Sequence, residues 1–171
     1  PYYLIASDTV HVPDSTISTS DLIRQKHLSN TFTGFTWALN YHTNRLQSSL
    51  GGSWNTYSGN HFGRVIWSQF TGNSEINHEW YRSKALKRDF NIYAKSEYAF
   101  TEKLHSWLDI QFRRVDYSID GIDDDNRDIT QNHEFNFFNP KAGISYNLSG
   151  SQNVYASISV AHREPNRDNF V

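Results

Sequence analysis

The sequence predicts an all-β chain of antiparallel, up-and-down hairpins, six strands wide. Three observations predict it. Apolar and polar side chains alternate with a period of two over six stretches, which puts successive side chains on opposite faces of a strand. Short polar turns join those stretches in pairs. Aromatic residues make up 15 % of the chain, with ten Tyr and eleven Phe, a heavy load that suits pleated surfaces.

The first hairpin covers residues 32–57. Phe35, Trp37, Leu39 and Tyr41 share one face, and Thr36, Ala38, Asn40 and His42 the other. A turn at Thr43-Asn44-Arg45 follows. On the returning strand, Leu46, Leu50 and Trp54 alternate with Gln47, Ser49, Ser53 and Asn55, and Gly51-Gly52 are expected to weaken the strand or mark a bend. The second hairpin covers 89–117. Phe90, Ile92, Ala94, Tyr98 and Phe100 oppose Asn91, Tyr93, Lys95 and Glu97. After Thr101-Glu102-Lys103, Leu104, Leu108, Ile110 and Phe112 oppose His105, Trp107, Asp109, Gln111 and Arg113. The third covers 138–163, with Phe138, Ala142, Ile144, Tyr146 and Leu148 against Asn139, Lys141, Gly143, Ser145 and Asn147. Past the turn from Ser149 to Asn153, Val154, Ala156, Ile158 and Val160 alternate with Tyr155, Ser157 and Ser159.

Between hairpins the connections read as long: about 30 residues from Ser58 to Arg88 and about 18 from Ser118 to Phe137. Residues 1–30 read mostly as a loop, with one short helix over Asp21–Leu28 capped by Ser20. Every short turn then lies at one end of the sheet and every long loop at the other. A membrane barrel has that asymmetry, with short periplasmic turns and long extracellular loops. The apolar face is aliphatic near strand centres and aromatic near strand ends, as interfacial girdles require. The opposite face (Asn40, His42, Lys95, Glu97, Asp109, Gln111, Arg113, Lys141) is mixed in sign and suits a hydrated lumen.

Composition excludes several classes. Sixteen Lys plus Arg against eighteen Asp plus Glu give a net charge of −2, which argues against a dense basic face for nucleic acid. With no Cys there are no disulfides, thiolate metal sites or cysteine nucleophiles. Mean hydropathy is −0.69, and no apolar run approaches the roughly 18 residues of a spanning helix. A β-barrel escapes that exclusion, because its alternating strands average to a polar score. Closed bacterial barrels start at about eight strands. Six strands, a chain opening on Pro1, the absence of Met and the lack of an export signal are together expected of a segment of something larger.

Candidate sites are few. Asp120, Asp123, Asp124, Asp125 and Asp128 supply the oxygen ligands that calcium requires, but the spacing lacks the glycine and closing Glu of an EF-hand, so the stretch reads as a solvated loop. The histidines (His11, His27, His42, His61, His78, His105, His133, His162) form no i, i+4 or H-x-H pair and read as exposed side chains, with His61, His78 and His133 placed in the long loops. There is no G-x-S-x-G elbow for a hydrolase and no phosphate-cradling glycine motif. The charged stretch Arg163-Glu164-Pro165-Asn166-Arg167-Asp168-Asn169 reads as a strand leaving the sheet, with Pro165 ending regular pairing and the charges locking the loop by ion pairs.

Phe137-Phe138-Asn139-Pro140-Lys141-Ala142-Gly143-Ile144-Ser145-Tyr146, Val154-Tyr155-Ala156-Ser157 and the Ala161–Asn169 stretch resemble the barrel of TonB-dependent outer-membrane receptors of the Bacteroidetes type. Gly51-Gly52-Ser53-Trp54-Asn55, His61-Phe62-Gly63, Ile66-Trp67 and Asp89-Phe90-Asn91-Ile92-Tyr93 fit the same family. The resemblance implies a slice of a 22-stranded barrel that normally carries an N-terminal plug. It implies a transporter rather than an enzyme, in the outer membrane of a Gram-negative bacterium. Such a receptor takes up a scarce nutrient: an iron chelate, haem, cobalamin or a glycan. The partners implied are outer-membrane lipid, the TonB–ExbB–ExbD complex acting through a plug domain that this chain does not contain, and a surface lipoprotein as a further candidate; no nucleic acid is implied. Neither a cofactor nor a metal or catalytic residue follows from it, and no ligand-binding residue carries over. The alternative from the alternation alone is a soluble lipocalin-like barrel binding a small apolar ligand, with the apolar face turned inward.

Overall fold

The computed structural model describes residues 2–12, 15–70 and 75–165, with side chains from residue 20 onward. Seven strands, β1 (Tyr2–Val12), β2 (Ser15–His42), β3 (Leu46–Ser68), β4 (His78–Ala99), β5 (Leu104–Gly121), β6 (Gln131–Ser149) and β7 (Gln152–Ser159), form one sheet in chain order. The six expected strands are β2 to β7. β1 is one more, and the sheet is antiparallel throughout.

Two expectations need correction. Residues 1–30 are not mostly loop: β1 pairs with β2 from Tyr2 opposite Lys26 to Val12 opposite Ser15. The helix expected over Asp21–Leu28 is part of β2. Pairing with β1 satisfies the backbone of this stretch, and that tertiary gain outweighs local helix propensity. The long connections are also shorter than expected. β3 runs on to Ser68 and β4 starts at His78, while β5 reaches Gly121 and β6 starts at Gln131. Much of the loop asymmetry is therefore strand extension. The extensions lack a clean apolar face, so alternation does not reveal them.

The tight turns share a construction. Thr43 Oγ1 accepts the N–H of Leu46 at 2.9 Å and of Arg45 at 3.3 Å. Thr101 Oγ1 accepts the N–H of Leu104 at 3.0 Å and of Lys103 at 3.2 Å. A threonine hydroxyl at the first turn position stands in for a backbone acceptor, which is why Thr precedes both basic turn residues. Ser149 does the same more weakly, accepting the Ser151 N–H at 3.5 Å. β3 is continuous through Gly51-Gly52. Side chains there would collide with neighbours on opposite faces, since a Cβ on Gly51 would lie 2.5 Å from the Tyr93 hydroxyl and one on Gly52 3.2 Å from the Trp37 indole nitrogen.

The chain divides into two compact units. One holds Thr33–Thr56, Lys87–Tyr117 and His133–Val171, and contains the three tight turns. It is called the turn unit below. The other holds Pro1–Phe32, Tyr57–Leu86 and Ser118–Asn132, and is called the loop unit. In the turn unit the β6–β7 register sets Ala142 opposite Ile158, Ile144 opposite Ala156 and Tyr146 opposite Val154, so these side chains share one apolar face. The other face of the same pair carries Lys141 opposite Ser159 and Ser145 opposite Tyr155. The apolar face is open to its surroundings: Phe35, Leu39, Tyr41 and Phe138 are exposed, and Ile158 is 73 % exposed. Phe35 packs on Trp54 with centroids 6.2 Å apart, and Tyr98 on Phe100 at 4.9 Å, edge to face. Ser48 and Ser96 hydrogen-bond each other at 3.0 Å, satisfying two hydroxyls within the sheet. Val115 and Phe137 are this unit's buried apolar side chains, and Leu22, Tyr81 and Ile119 are those of the loop unit.

Candidate functional site

The polar face of the turn unit carries a connected charge network. Phe90 and Phe112 belong to the apolar alternation, so Asp89 on β4 and Arg113 on β5 face the other way. Arg113 donates from Nε to both Asp89 carboxylate oxygens at 3.1 Å and from Nη2 at 2.5 Å. Lys87 donates its ammonium to Glu164 at 2.7 Å, and Arg113 Nη2 reaches the same carboxylate at 3.3 Å. The two acids are the less accessible partners, with side chains 13 % and 17 % exposed for Asp89 and Glu164. Beside them, Asn139 on β6 donates its amide to Gln111 Oε1 at 3.3 Å.

Glu164 reaches this network because β7 ends early. Val160 still donates its N–H to the Pro140 carbonyl at 2.9 Å, but Pro140 has no N–H to return. Beyond that point a side chain takes over as acceptor: Asn139 Oδ1 accepts the His162 N–H at 2.7 Å. Regular pairing therefore stops at Ser159, opposite Lys141 and one residue short of Pro140, rather than at Pro165. Of the terminal charges expected to lock their own loop by ion pairs, Glu164 pairs instead with Lys87 on β4 and Arg113 on β5; Asn166, Arg167, Asp168 and Asn169 lie outside the described residues.

Of the side chains expected on the polar face, Arg113 joins the network and Gln111 bonds Asn139 beside it. Lys95 instead sits over the Tyr93 ring at 5.4 Å. Asn40, His42, Asp109 and Lys141 lie outside it, and Glu97 lines an open recess of about 410 Å³ with Arg45, Gln47, His105, Trp107 and Ser145. Trp107 lies across Gly143, where a Cβ would come within 2.6 Å of the indole. Sequence reasoning missed Lys87, Asp89 and the role of Glu164. The signal for the first two was parity, since both share the alternation of Asn91, Tyr93 and Lys95.

In the loop unit, cations cover aromatic rings. Arg82 and Arg64 lie over Phe62 at 4.5 and 5.2 Å, His27 stacks on the same ring at 4.7 Å, and Arg24 lies over Trp80 at 5.1 Å. Arg82 also forks onto Glu79 at 2.6 and 2.7 Å. The acidic stretch closes on itself. Asp123 Oδ1 accepts the N–H of Asp125 at 3.0 Å and of Arg127 at 2.9 Å, and Arg127 Nε donates to Oδ2 at 2.9 Å. The Arg127 N–H, above all, holds the Asp123 carboxyl below the usual carboxylate range, and the Thr130 hydroxyl does the same for Asp128. Asp124 pairs with Lys26. Among the described residues, no three metal-ligating side chains converge. Three histidines expected in long loops lie in or at strands: His61 in β3, His78 at the start of β4 and His133 in β6, where it stacks near Phe135 at 6.0 Å.

An antiparallel sheet with an open apolar face that carries aromatics, backed by a polar face with its own ion pairs, matches the wall pattern of a membrane β-barrel. Residues 2–170 match the family model described as TonB dependent receptor-like, beta-barrel, and the chain belongs to that family. Its members are outer-membrane receptors and transporters of Gram-negative bacteria, and not enzymes. No curated protein matches the chain.

Proposed function

We propose that this chain forms part of the barrel wall of a receptor that binds a scarce nutrient, such as an iron chelate, haem, cobalamin or a glycan, at its extracellular end and passes it to the periplasm. In this reading the turn unit crosses the hydrocarbon layer, with its tight turns in the periplasm and the β3–β4 and β5–β6 connections outside. The TonB–ExbB–ExbD complex drives transport by pulling on a plug domain supplied elsewhere in the receptor, and a surface lipoprotein covers the outer mouth.

The observation that carries the reading is the pairing of opposite faces in the turn unit. Ile144, Tyr146 and Ile158 stand open on one side, and Lys87, Asp89, Arg113 and Glu164 are bonded to one another on the other. Hydrocarbon tolerates the first set where the strand backbone is paired within the sheet, as β6 is between β5 and β7. A hydrated passage tolerates the second.

The test is the native polypeptide in its source membrane. A species several times larger than 19.9 kDa, found in the outer-membrane fraction and shifting in gel mobility on boiling, is expected. A detergent-free β-rich monomer of about this mass would overturn the reading.

A further inference from the structure

The Glu164 carboxylate is bound to two cations on the polar face. It comes from a segment that has left the sheet. Past Ser159 that segment is held by the Val160 N–H on Pro140, the His162 contacts on Asn139, and Glu164 itself. Two cations converge on it, Lys87 at 2.7 Å and Arg113 at 3.3 Å. Arg113 is already oriented by its fork on Asp89, so the edge it offers Glu164 is pre-set. Lys87 has Glu164 as its ion-pair partner among the described residues.

Remove Glu164, and one ammonium and one guanidinium edge remain, aimed at a point where a carboxylate is accommodated. Among the described residues, the segment that supplies Glu164 is held by one backbone bond and by contacts of His162 and Glu164 rather than by a strand ladder, and such segments open at low free-energy cost. We propose that Lys87 and Arg113 form a binding site for carboxylate-bearing solutes on the polar face of the barrel, occupied in the resting protein by Glu164, which an incoming carboxylate displaces. The observed occupant is the template for the ligand: a planar two-oxygen anion held by the Lys87 ammonium and by Nη2 of a guanidinium that Asp89 fixes in place. Displacement frees the segment from Val160 to Pro165, so binding and release of that segment are one event. The proposal deepens the transport reading by naming a solute class, and it rests on that reading for the solute's route to the site.

The test uses the full-length receptor in detergent, with citrate as the probe and sodium chloride of equal ionic strength as the control. Self-occupancy lowers apparent affinity by the fraction of time the site is free. Glu164→Gln is therefore expected to bind citrate on the order of tenfold more tightly than the unmodified receptor. Lys87→Gln is expected to abolish binding. Glu164→Asp, which keeps the charge, is expected to restore weak binding. In the unmodified receptor, amide exchange at His162 and Glu164 is expected to accelerate with citrate and not with chloride; in Glu164→Gln it is fast from the start. Equal citrate affinity with and without Glu164, or exchange unmoved by citrate, overturns the proposal. Heat-modifiable gel mobility shows that each variant is folded. A receptor found outside the outer membrane fails the transport reading, whereas citrate competition on the purified protein stands or falls by itself.

Discussion

The two units are built on the same two-residue alternation and meet different surroundings. In the turn unit the open face carries Phe35, Leu39, Tyr41, Ile144 and Ile158, and the Lys87, Asp89, Arg113 and Glu164 network lies on the other face, while Arg114, on the parity of Phe112, pairs with Asp116 and Glu134. In the loop unit both charge and aromatics are at the surface, and they cover each other: Arg82 and Arg64 on Phe62, Arg24 on Trp80. Its few exposed large apolar residues, such as Leu28 and Ile76, stand apart from such a band. The first arrangement suits an apolar solvent on one side, and the second suits water all round. A sheet can therefore keep its pairing while the solvent it is built for changes.

The largest expected effect comes from placing a charge on each open surface. Ile144→Arg is expected to destabilise the folded receptor by about 2–4 kcal/mol, as charge on a lipid face does. Leu28→Arg, at an exposed position of the loop unit, is expected to change stability by no more than about 0.5 kcal/mol. Urea unfolding of the full-length receptor in lipid vesicles measures both. Equal costs would erase the distinction between the units.

Ion pairs give the next contrast. Arg113→Leu strands the Asp89 carboxylate, which is 13 % exposed, and is expected to cost about 1–2 kcal/mol after allowance for residual solvation. Arg82→Leu removes a fork onto Glu79 that is more open to water, and is expected to cost less than about 1 kcal/mol. The same urea series ranks them, and the reverse order would contradict the placement of the stronger network in the turn unit.

Turn chemistry gives a smaller effect. Thr43→Val and Thr101→Val each remove an acceptor for two backbone N–H groups and are expected to cost about 0.5–1.5 kcal/mol. Ser149→Ala, which loses one contact at 3.5 Å, is expected to cost less. Amide exchange at Leu46, Leu104 and Ser151 reads the three separately.

The smallest effect is the pH response of the stretch from Ile122 to Thr130. Asp123 and Asp128 both have folded-state proton affinities below the ordinary aspartate value. Their contribution is therefore present above the unfolded carboxylate pKa and is lost as pH falls through the lower folded values. Amide protection at Asp125, Arg127 and Thr130 is expected to persist at neutral pH and to fade only at acid pH below the usual carboxylate range. Loss of protection between neutral and mildly acidic pH would contradict the hydrogen bonding described.

The division between the units also explains what was legible in the sequence. The paired strands of the turn unit could be read because the size and polarity contrast between faces is clean: Phe35, Trp37, Leu39 and Tyr41 alternate with the small or polar Thr36, Ala38, Asn40 and His42. The upper part of β2 could not, because Asp21, Arg24, Gln25 and Lys26 blur that contrast, and Ser20 before Asp21 imitates a helix cap. Local chemistry then points to a helix, while the partner that decides the matter, β1, lies outside the stretch being read. The network was half legible. Parity places Gln111 and Arg113 on the polar face. Glu164 reaches it because Pro140 opposes Val160, and that register appears only in the folded sheet.

The central claim, that the apolar face of the turn unit meets lipid, is tested most directly by tryptophan quenching. Full-length receptors retaining only Trp37, Trp54 or Trp107 of this chain's tryptophans, with Phe at other tryptophan positions, would be reconstituted into vesicles of phosphatidylcholine with brominated acyl chains. Trp37 and Trp54, on the apolar face, are expected to be quenched strongly, and Trp107, lying over Gly143 on the polar face, is expected to keep its fluorescence. Quenching of Trp107 with Trp37 and Trp54 protected would contradict the account and turn the apolar face inward, as a soluble ligand-binding barrel requires.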